Sequence, residues 1–232
     1  MISIILPTYN EKENIVDLIK EIFLTIDKVN NFEILVVDDN SPDNTANAVK
    51  EVFSTDQRVK VFIRKTDRGL ANSIKFGFLK SQGEKIIVMD TDFNHDPKLL
   101  TRFIALSQFY DLVSGSRFCA GGYMIDEFRY FLSLFFNFFL RVILRTQIQD
   151  NLSGFFIINK KCLDISHYDL VFQGYGDYYM RLLYILNKKR FSIVEIPTIY
   201  KKRKSGSSKS NFLKMIFTYT FSAIKMKYFT NF

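Results

Sequence analysis

Three features of the 232-residue chain predict an α/β protein with a mostly parallel sheet flanked by helices. Short runs that are apolar throughout alternate with stretches whose apolar residues recur at helical spacing, the pattern of strands covered on both faces by helices. The polar clusters PTYNE, DDNSPDNT and DTDFNHD each follow such a run, at the strand ends where open parallel sheets bind ligands. Gly (10) and Pro (4) are scarce, while 47% of residues are hydrophobic and 24% charged. That composition suits a core of ordinary size and excludes disordered, collagen-like and low-complexity chains.

The elements follow in order. Residues 2–6 form a short apolar run closed by Pro7, hence a buried strand, and residues 11–29 carry the helical stripe Ile15, Leu18, Ile19, Ile22 and Ile26. Residues 32–37 (FEILVV) predict a second strand. Residues 43–52 predict a helix entered through Asp, Asn and Thr capping residues. A third strand and helix are expected over 59–63 and 70–81, and a fourth strand over 85–89, with a helix starting at Pro97, a residue well placed in a first helical turn. Beyond Asp111 the pattern loosens. Strands are expected at 112–116, 154–159 and 192–200, helices at 126–145 and 178–188, and a last helix from about residue 211.

The net charge of +8 is unevenly placed. No Asp or Glu follows Glu195, and the stretch from Tyr200 to Phe232 holds eight cations, leaving 24 of the 32 Lys and Arg against 24 carboxylates in residues 1–199. A neutral body with a basic, aromatic tail implies partners bearing phosphate: nucleic acid, anionic lipid or nucleotide. We therefore divide the chain into a neutral body at 1–200 and a basic loop with an amphipathic helix at 201–232. The two cysteines, Cys119 and Cys162, are read as reduced thiols in a cytosolic setting. No basic region precedes the first apolar run, as a signal peptide would require, and no uncharged apolar stretch reaches the roughly 20 residues of a spanning helix.

Two helices read as amphipathic. In the last one, Asn211, Lys214, Thr218, Ser222 and Lys225 fall in one narrow arc, and the remaining face is apolar. Such a helix either lies in a membrane interface or packs on the domain or on a partner protein. In the helix near 126–145, Arg129, Ser133, Asn137 and Arg141 are spaced by four on a Phe/Leu surface. Arg129 and Ser133 stand one turn apart and can grip one anion, such as the phosphate of a greasy ligand. The other reading is a core helix with its stripe in water.

Asp90 and Asp92 follow a strand at the mouth of the sheet, where paired carboxylates hold a hard divalent cation, Mg²⁺ or Mn²⁺, with Asn94 adding a neutral oxygen and a diphosphate as second partner. An EF-hand is excluded by His95 and Thr101 at its glycine and glutamate positions. Asp96 reads as a helix cap. Asp38 and Asp39 end the second strand and either accept from a nucleobase or ribose hydroxyl or brace the following turn. Dinucleotide-fold, P-loop and esterase-elbow motifs are absent.

Taken together, PTYNEKEN, VVDDNSPDNT, DRGLANSIKFG, VMDTDFNHDP, SGSRF, FRYFLS, DNLSGFF and YKKRKSGSSKS resemble the family 2 glycosyltransferases of GT-A fold, and within them dolichol-phosphate mannose synthases and related polyprenyl-phosphate glycosyltransferases. They occur in that family's order over nearly the whole chain. The resemblance implies that Pro7, Tyr9, Glu11 and Asp39 hold the nucleotide's base and ribose. It implies that Asp90, Asp92 and Asn94 hold the metal and diphosphate, Asn94 standing where Gln is common. Arg117, Arg129 and Ser133 would grip the acceptor lipid phosphate, Arg203 and Lys209 would belong to a loop closing over the donor, and Asp150 and Ser153 would lie near the sugar. The expected activity is transfer of a hexose, mannose from GDP-mannose first, to a polyprenyl or dolichyl phosphate at the cytoplasmic face of a membrane, with a membrane-anchoring partner subunit possible. The absent Q-x-x-R-W signature argues against a polymerase. A sugar-hydroxyl acceptor, with Asp177 as base, is the alternative within the enzyme class. A non-catalytic nucleotide-sugar sensor and a nucleic-acid binder are the alternatives outside it.

Overall fold

The computed structural model describes residues 1–29, 31–201 and 212–229. In chain order the elements are β1 (Ile2–Thr8), α1 (Lys12–Thr25), β2 (Phe32–Asp38), α2 (Thr45–Val52), β3 (Val59–Ile63), α3 (Leu70–Lys80) and β4 (Lys85–Val88). A 3₁₀ turn at Pro97–Leu99 leads into α4 (Leu100–Leu106), then β5 (Leu112–Ser116), β6 (Tyr123–Met124), α5 (Glu127–Leu144) and β7 (Phe156–Asn159). The chain continues through α6 (Tyr168–Val171), α7 (Tyr178–Lys188), β8 (Ile193–Pro197), β9 (Ile199–Tyr200) and α8 (Phe212–Phe229).

Seven strands form one sheet in the order β3-β2-β1-β4-β7-β5-β8. All neighbours are parallel except β7, which runs antiparallel to both β4 and β5. The expectation of a mostly parallel sheet holds. From β1 the chain steps outward to β2 and β3, then returns to the other side of β1 at β4, so the order reverses there and opens a crevice at the carboxyl ends of β1, β2 and β4. A separate β6-β9 ribbon brings Tyr200 to the rim of that crevice.

Strand alternation divides the core between the two faces. Ile4 and Leu6 of β1 pack with Ile15, Leu18, Ile19 and Ile22 of α1, while Ile5 packs with Ile74 and Phe78 of α3. Each such side chain stabilises the fold by roughly 1.5–3 kcal/mol relative to exposure. Gly77 lets α3 sit directly on β1, since a Cβ there would stand 2.5 Å from Ile5. Nine consecutive residues of α7, Tyr178 to Leu186, are buried, so this helix is enclosed on every side. Cys119 and Cys162 are free, and burial beside Asp111 pushes the Cys162 thiol up to about 12.

In each of the two amphipathic helices one member of the polar stripe is buried while several apolar residues are exposed. In α5, Asn137 is fully buried, donating to the Ser133 carbonyl and accepting from Asn151 N, while Phe128, Phe131, Phe135 and Phe138 are exposed. In α8, Ser222 is buried and accepts from Arg181, Tyr219, Ala223 and Met226 enter the core, and Phe217, Phe221, Ile224 and Tyr228 face outward. Periodicity tells which residues share a face but not whether a polar stripe has partners inside; here it does. The helices α5 and α8 pack against each other. No helix among the described residues is long and apolar enough to cross a membrane.

Candidate active site

The loops after β1 and β2 are knitted into one wall. Asn10 N donates to Ser41 Oγ (2.9 Å), Glu11 N to Thr45 Oγ1 (3.0 Å) and Lys12 N to Asp43 Oδ2 (3.1 Å). Asn10, Asn40 and Asn44 supply the left-handed backbone these turns need, a conformation Asn tolerates better than most residues. The two carboxylates left open by the sequence have separate roles. Asp38 accepts from Thr8 Oγ1, Ser41 N and Ser41 Oγ and braces the turn. Asp39 lines the crevice. Its Oδ2 receives Gly69 N at 2.6 Å, and its Oδ1 receives Ser73 Oγ at 2.8 Å and lies 3.2 Å from the Arg64 guanidinium. Gly69 is required for that turn, with φ at +129°.

Two clefts of about 540 and 550 Å³ meet at Asp90, Leu70 and Tyr175. The first is lined by Pro7, Tyr9, Glu11, Asp39 and Asp92, with the Arg68 guanidinium 4.9 Å above the Tyr9 ring. The second is lined by Asn94, Arg117, Arg129, Ser153, Tyr200 and Lys201, with Met124, Ile125, Leu152 and Met215 adding apolar surface. Of the residues singled out in the sequence, nine described ones besides Asp90 thus border one cleft or the other.

The acidic turn between the clefts is compact. Asp92 is buried and accepts from Asn94 N (3.1 Å) and Asn94 Nδ2 (3.0 Å), and Phe93 holds the turn with φ at +63°. A bulky residue in that region stores backbone strain of order 1–3 kcal/mol, and such strain clusters at functional sites. The Asp90 side chain is 46% exposed at the junction. Among the described residues no three His, Cys, Asp or Glu side chains converge into a cage. Two carboxylates and an amide at an open mouth fit a hard cation that takes its remaining ligands from phosphate oxygens and water. Asp96 caps the 3₁₀ turn through Lys98 N, as the sequence implied.

Arg117 is held by Asp150. Its Nε and Nη2 donate at 2.7 Å each and its backbone N donates at 3.0 Å, with Asp150 wholly buried. Burial alone would lower the Arg117 pKa, but the Asp150 charge and hydrogen bonds outweigh it and raise it further, so the guanidinium stays charged. Asp150 is itself oriented by Glu195, which accepts from Gln149 N and Asp150 N. Asp150 therefore reaches the cleft through Arg117 rather than directly. Arg129 is largely exposed and pairs with Asp126 at 3.2 Å. Ser133, one turn further along α5, is partly buried and does not border the cleft. Arg203 and Lys209 lie outside the described residues.

Asp177 is 1% exposed, with Oδ1 accepting from Tyr175 N and Oδ2 paired with Arg181, and it borders neither cleft. Sequence reasoning missed Tyr175, which borders both clefts, and Tyr200 and Arg68. Tyr175 stands in a GYGD turn from which the sequence singled out only Asp177, and its loop is tied to α8 by Gly176 N donating to Tyr219 Oη at 3.0 Å.

The model of the family described as glycosyl transferase family 2 matches residues 3–165. The chain belongs to glycosyltransferase family 2. A dolichol-phosphate mannosyltransferase of Pyrococcus furiosus is 33% identical over 215 residues, which is 90% of this chain and 58% of that protein. The chain thus spans less than two thirds of that relative's length. Dolichol-phosphate mannosyltransferases of Mycosarcoma maydis and Saccharomyces cerevisiae are 28% and 29% identical over 89% of this chain and 72% and 80% of theirs. In three dimensions this family 2 member resembles glucosyl-3-phosphoglycerate synthase of Mycobacterium tuberculosis, solved with Mn²⁺, UDP and glucosyl-3-phosphoglycerate. The TM-score is 0.74 at 16% identity, covering 98% of this chain and 80% of that one. The same protein solved with Mg²⁺ and UDP gives 0.70 at 17% identity, over 98% and 79%. The fold is that of GT-A glycosyltransferases.

Proposed function

We propose that the chain transfers a hexose, mannose from GDP-mannose, to a polyprenyl or dolichyl phosphate, inverting the anomeric carbon. The reading is carried by the two clefts that meet at Asp90. One has the aromatic and carboxylate lining suited to a nucleoside, and the other has two guanidinium groups beside an apolar wall suited to a phosphate on a hydrocarbon chain. The three dolichol-phosphate mannosyltransferase relatives support mannosyl transfer to a polyprenyl phosphate.

In this mechanism Tyr9, Glu11 and Asp39 bind the nucleoside, and Asp90, Asp92 and Asn94 would hold Mg²⁺ or Mn²⁺. When bound, that ion supplies electrostatic stabilisation to the departing diphosphate. Arg117, fixed by Asp150, and Arg129 orient the acceptor phosphate for in-line attack and screen its charge from the diphosphate. A phosphate monoester is already anionic near pH 7 and needs no general base. The hydroxyl-acceptor alternative does need one, and the closed Asp177–Arg181 pair does not favour it. The exposed phenylalanines of α5 and α8, with Arg141, Arg145 and Lys225 exposed beside them, suit peripheral attachment to a lipid surface, and the cytoplasmic face is the proposed side. A membrane-anchoring partner subunit could use the same surface.

The test is a transfer assay in detergent with Mn²⁺ or Mg²⁺, a short polyprenyl phosphate and separately labelled GDP-mannose, UDP-glucose and UDP-N-acetylglucosamine. Metal-dependent label in the organic phase from GDP-mannose, lost in Asp92→Ala, is the expected result. Label passing only to water or to a soluble glycan would overturn it.

A further inference from the structure

The His95 imidazole is completely enclosed, and the mechanism above gives it no part. Its ring lies parallel to Phe155, with centroids 4.6 Å apart and planes at 7°, and edge-on to Tyr200 at 5.2 Å. The hydrogen bonds around it have a fixed direction. Nδ1 is 2.8 Å from the backbone N of Asp90, and a backbone N–H can only donate, so Nδ1 is the bare nitrogen and Nε2 carries the hydrogen. Nε2–H then donates to Tyr200 Oη at 2.7 Å, and the Tyr200 hydroxyl donates to the Ser153 carbonyl at 2.9 Å. Both ring nitrogens are occupied, which leaves His95 no lone pair for a metal. Burial lowers its pKa to about 4, consistent with a neutral ring.

The connection joins the two sides of the site. Asp90 N–H lies just past the end of β4, where the ladder no longer supplies a partner, and His95 is the group that receives it. Tyr200 and Ser153 belong to the opposite wall, where Arg117 stacks 4.8 Å over the Tyr200 ring and the neighbouring Lys201 pairs with Asp96 at 3.3 Å. A buried polar network with every member satisfied rigidifies what it connects.

We propose that His95 is a positioning residue which, through Tyr200, locks the Asp90 end of the acidic turn to the Ser153 wall of the second cleft. It thereby fixes the separation between the metal-binding carboxylates and the groups that hold the acceptor phosphate. What is positioned rests on the function proposed above; the lock itself does not.

Three conservative variants of the full chain test the lock. Tyr200→Phe keeps both rings and the Arg117 stacking and removes one oxygen. His95→Asn can still accept from Asp90 N–H but stops short of Tyr200. His95→Gln can reach Tyr200 but withdraws from Asp90. Without ligand, Tyr200→Phe should raise hydrogen exchange in peptides covering 88–96 and 150–156 and leave peptides of α1 and β2 unchanged. Mn²⁺ affinity, read by electron paramagnetic resonance, should fall by about ten-fold or more in His95→Gln and much less in His95→Asn, the range seen when a residue supporting a metal ligand is lost. Nitrogen chemical shifts should place the His95 proton on Nε2. Exchange that is unchanged, or raised uniformly across the chain, or a proton on Nδ1, would overturn the proposal. If the wild-type chain binds no Mn²⁺, the metal assignment fails, and exchange and tautomer alone decide the lock.

Discussion

Replacing Asp150 by Asn should unsettle the second cleft without touching it. The Asp150 carboxylate is fully buried and receives three hydrogen bonds from Arg117, at 2.7, 2.7 and 3.0 Å, while the Arg117 side chain is only 9% exposed. Breaking a buried pair from one side costs about 3–5 kcal/mol, because a guanidinium is left without its counter-charge. The Asn amide oxygen keeps one acceptor in place and recovers roughly 1 kcal/mol of that. The net loss of about 3 kcal/mol corresponds to a fall in Tm of about 6–12 °C for a chain of this size. Arg117 should also lose its fixed orientation, so the KM for the phosphate acceptor rises while donor affinity holds. Thermal unfolding by circular dichroism and steady-state kinetics below the transition read both effects. A Tm within about 2 °C of wild type, under 1 kcal/mol on the same scale, with unchanged acceptor KM, would refute the view that Asp150 holds Arg117 in place.

Other outcomes follow from the same structure. Phe135→Ser with Phe221→Ser should reduce partitioning onto vesicles of anionic phospholipid by about ten-fold or more per residue if each ring contributes even 1.5 kcal/mol of burial, with soluble-donor binding unaffected; unchanged sedimentation with vesicles would contradict a role in attachment. Asp177→Asn should lower Tm through the Arg181 pair yet still transfer to lipid phosphate, and a folded variant without turnover would favour the hydroxyl acceptor instead. Burial raises the Glu33 pKa, but hydrogen bonds from Lys60, Ser3 and Gln82 outweigh it and hold the carboxyl below its ordinary 4.5. Its contribution to stability is therefore present above that value and lost as pH falls through and below it. Glu33→Gln should be less stable at pH 7 and lose less between pH 7 and pH 3; parallel Tm curves for the two proteins would count against this.

The first four strands and the second and third helices were legible within about two residues, and the first helix overran its C-terminal end by four, because continuous apolar runs and helical stripes admit few alternatives for an element's existence. Their polar loops were legible as site walls because a parallel sheet delivers every strand end to one edge. The strand at 154–159 was legible but its antiparallel direction was not, since GFFIIN is equally apolar whichever way it runs. The burial of one stripe member in each of α5 and α8 was not legible, because Asn137 and Ser222 are satisfied by Asn151 and Arg181, partners distant in sequence. Asp150 was found as a residue but not in its supporting role, which depends on a pairing 33 positions away. Tyr200 and His95 stood inside the motifs YKKRKSGSSKS and VMDTDFNHDP but were given no role, because aromatic residues beside polar motifs are ordinary until the fold shows what their heteroatoms touch.

The central claim is that the two clefts divide the substrates between them, and paired kinetic measurements on Tyr9→Ala and Arg129→Ala test it most directly. Both residues are at least 39% exposed, so neither change should disturb the fold. The account predicts that Tyr9→Ala raises the KM for the nucleotide-sugar donor and leaves the polyprenyl-phosphate KM unchanged, and that Arg129→Ala does the reverse. If both variants shift the same constant, or Arg129→Ala leaves acceptor KM at the wild-type value, the division of the site proposed here is wrong.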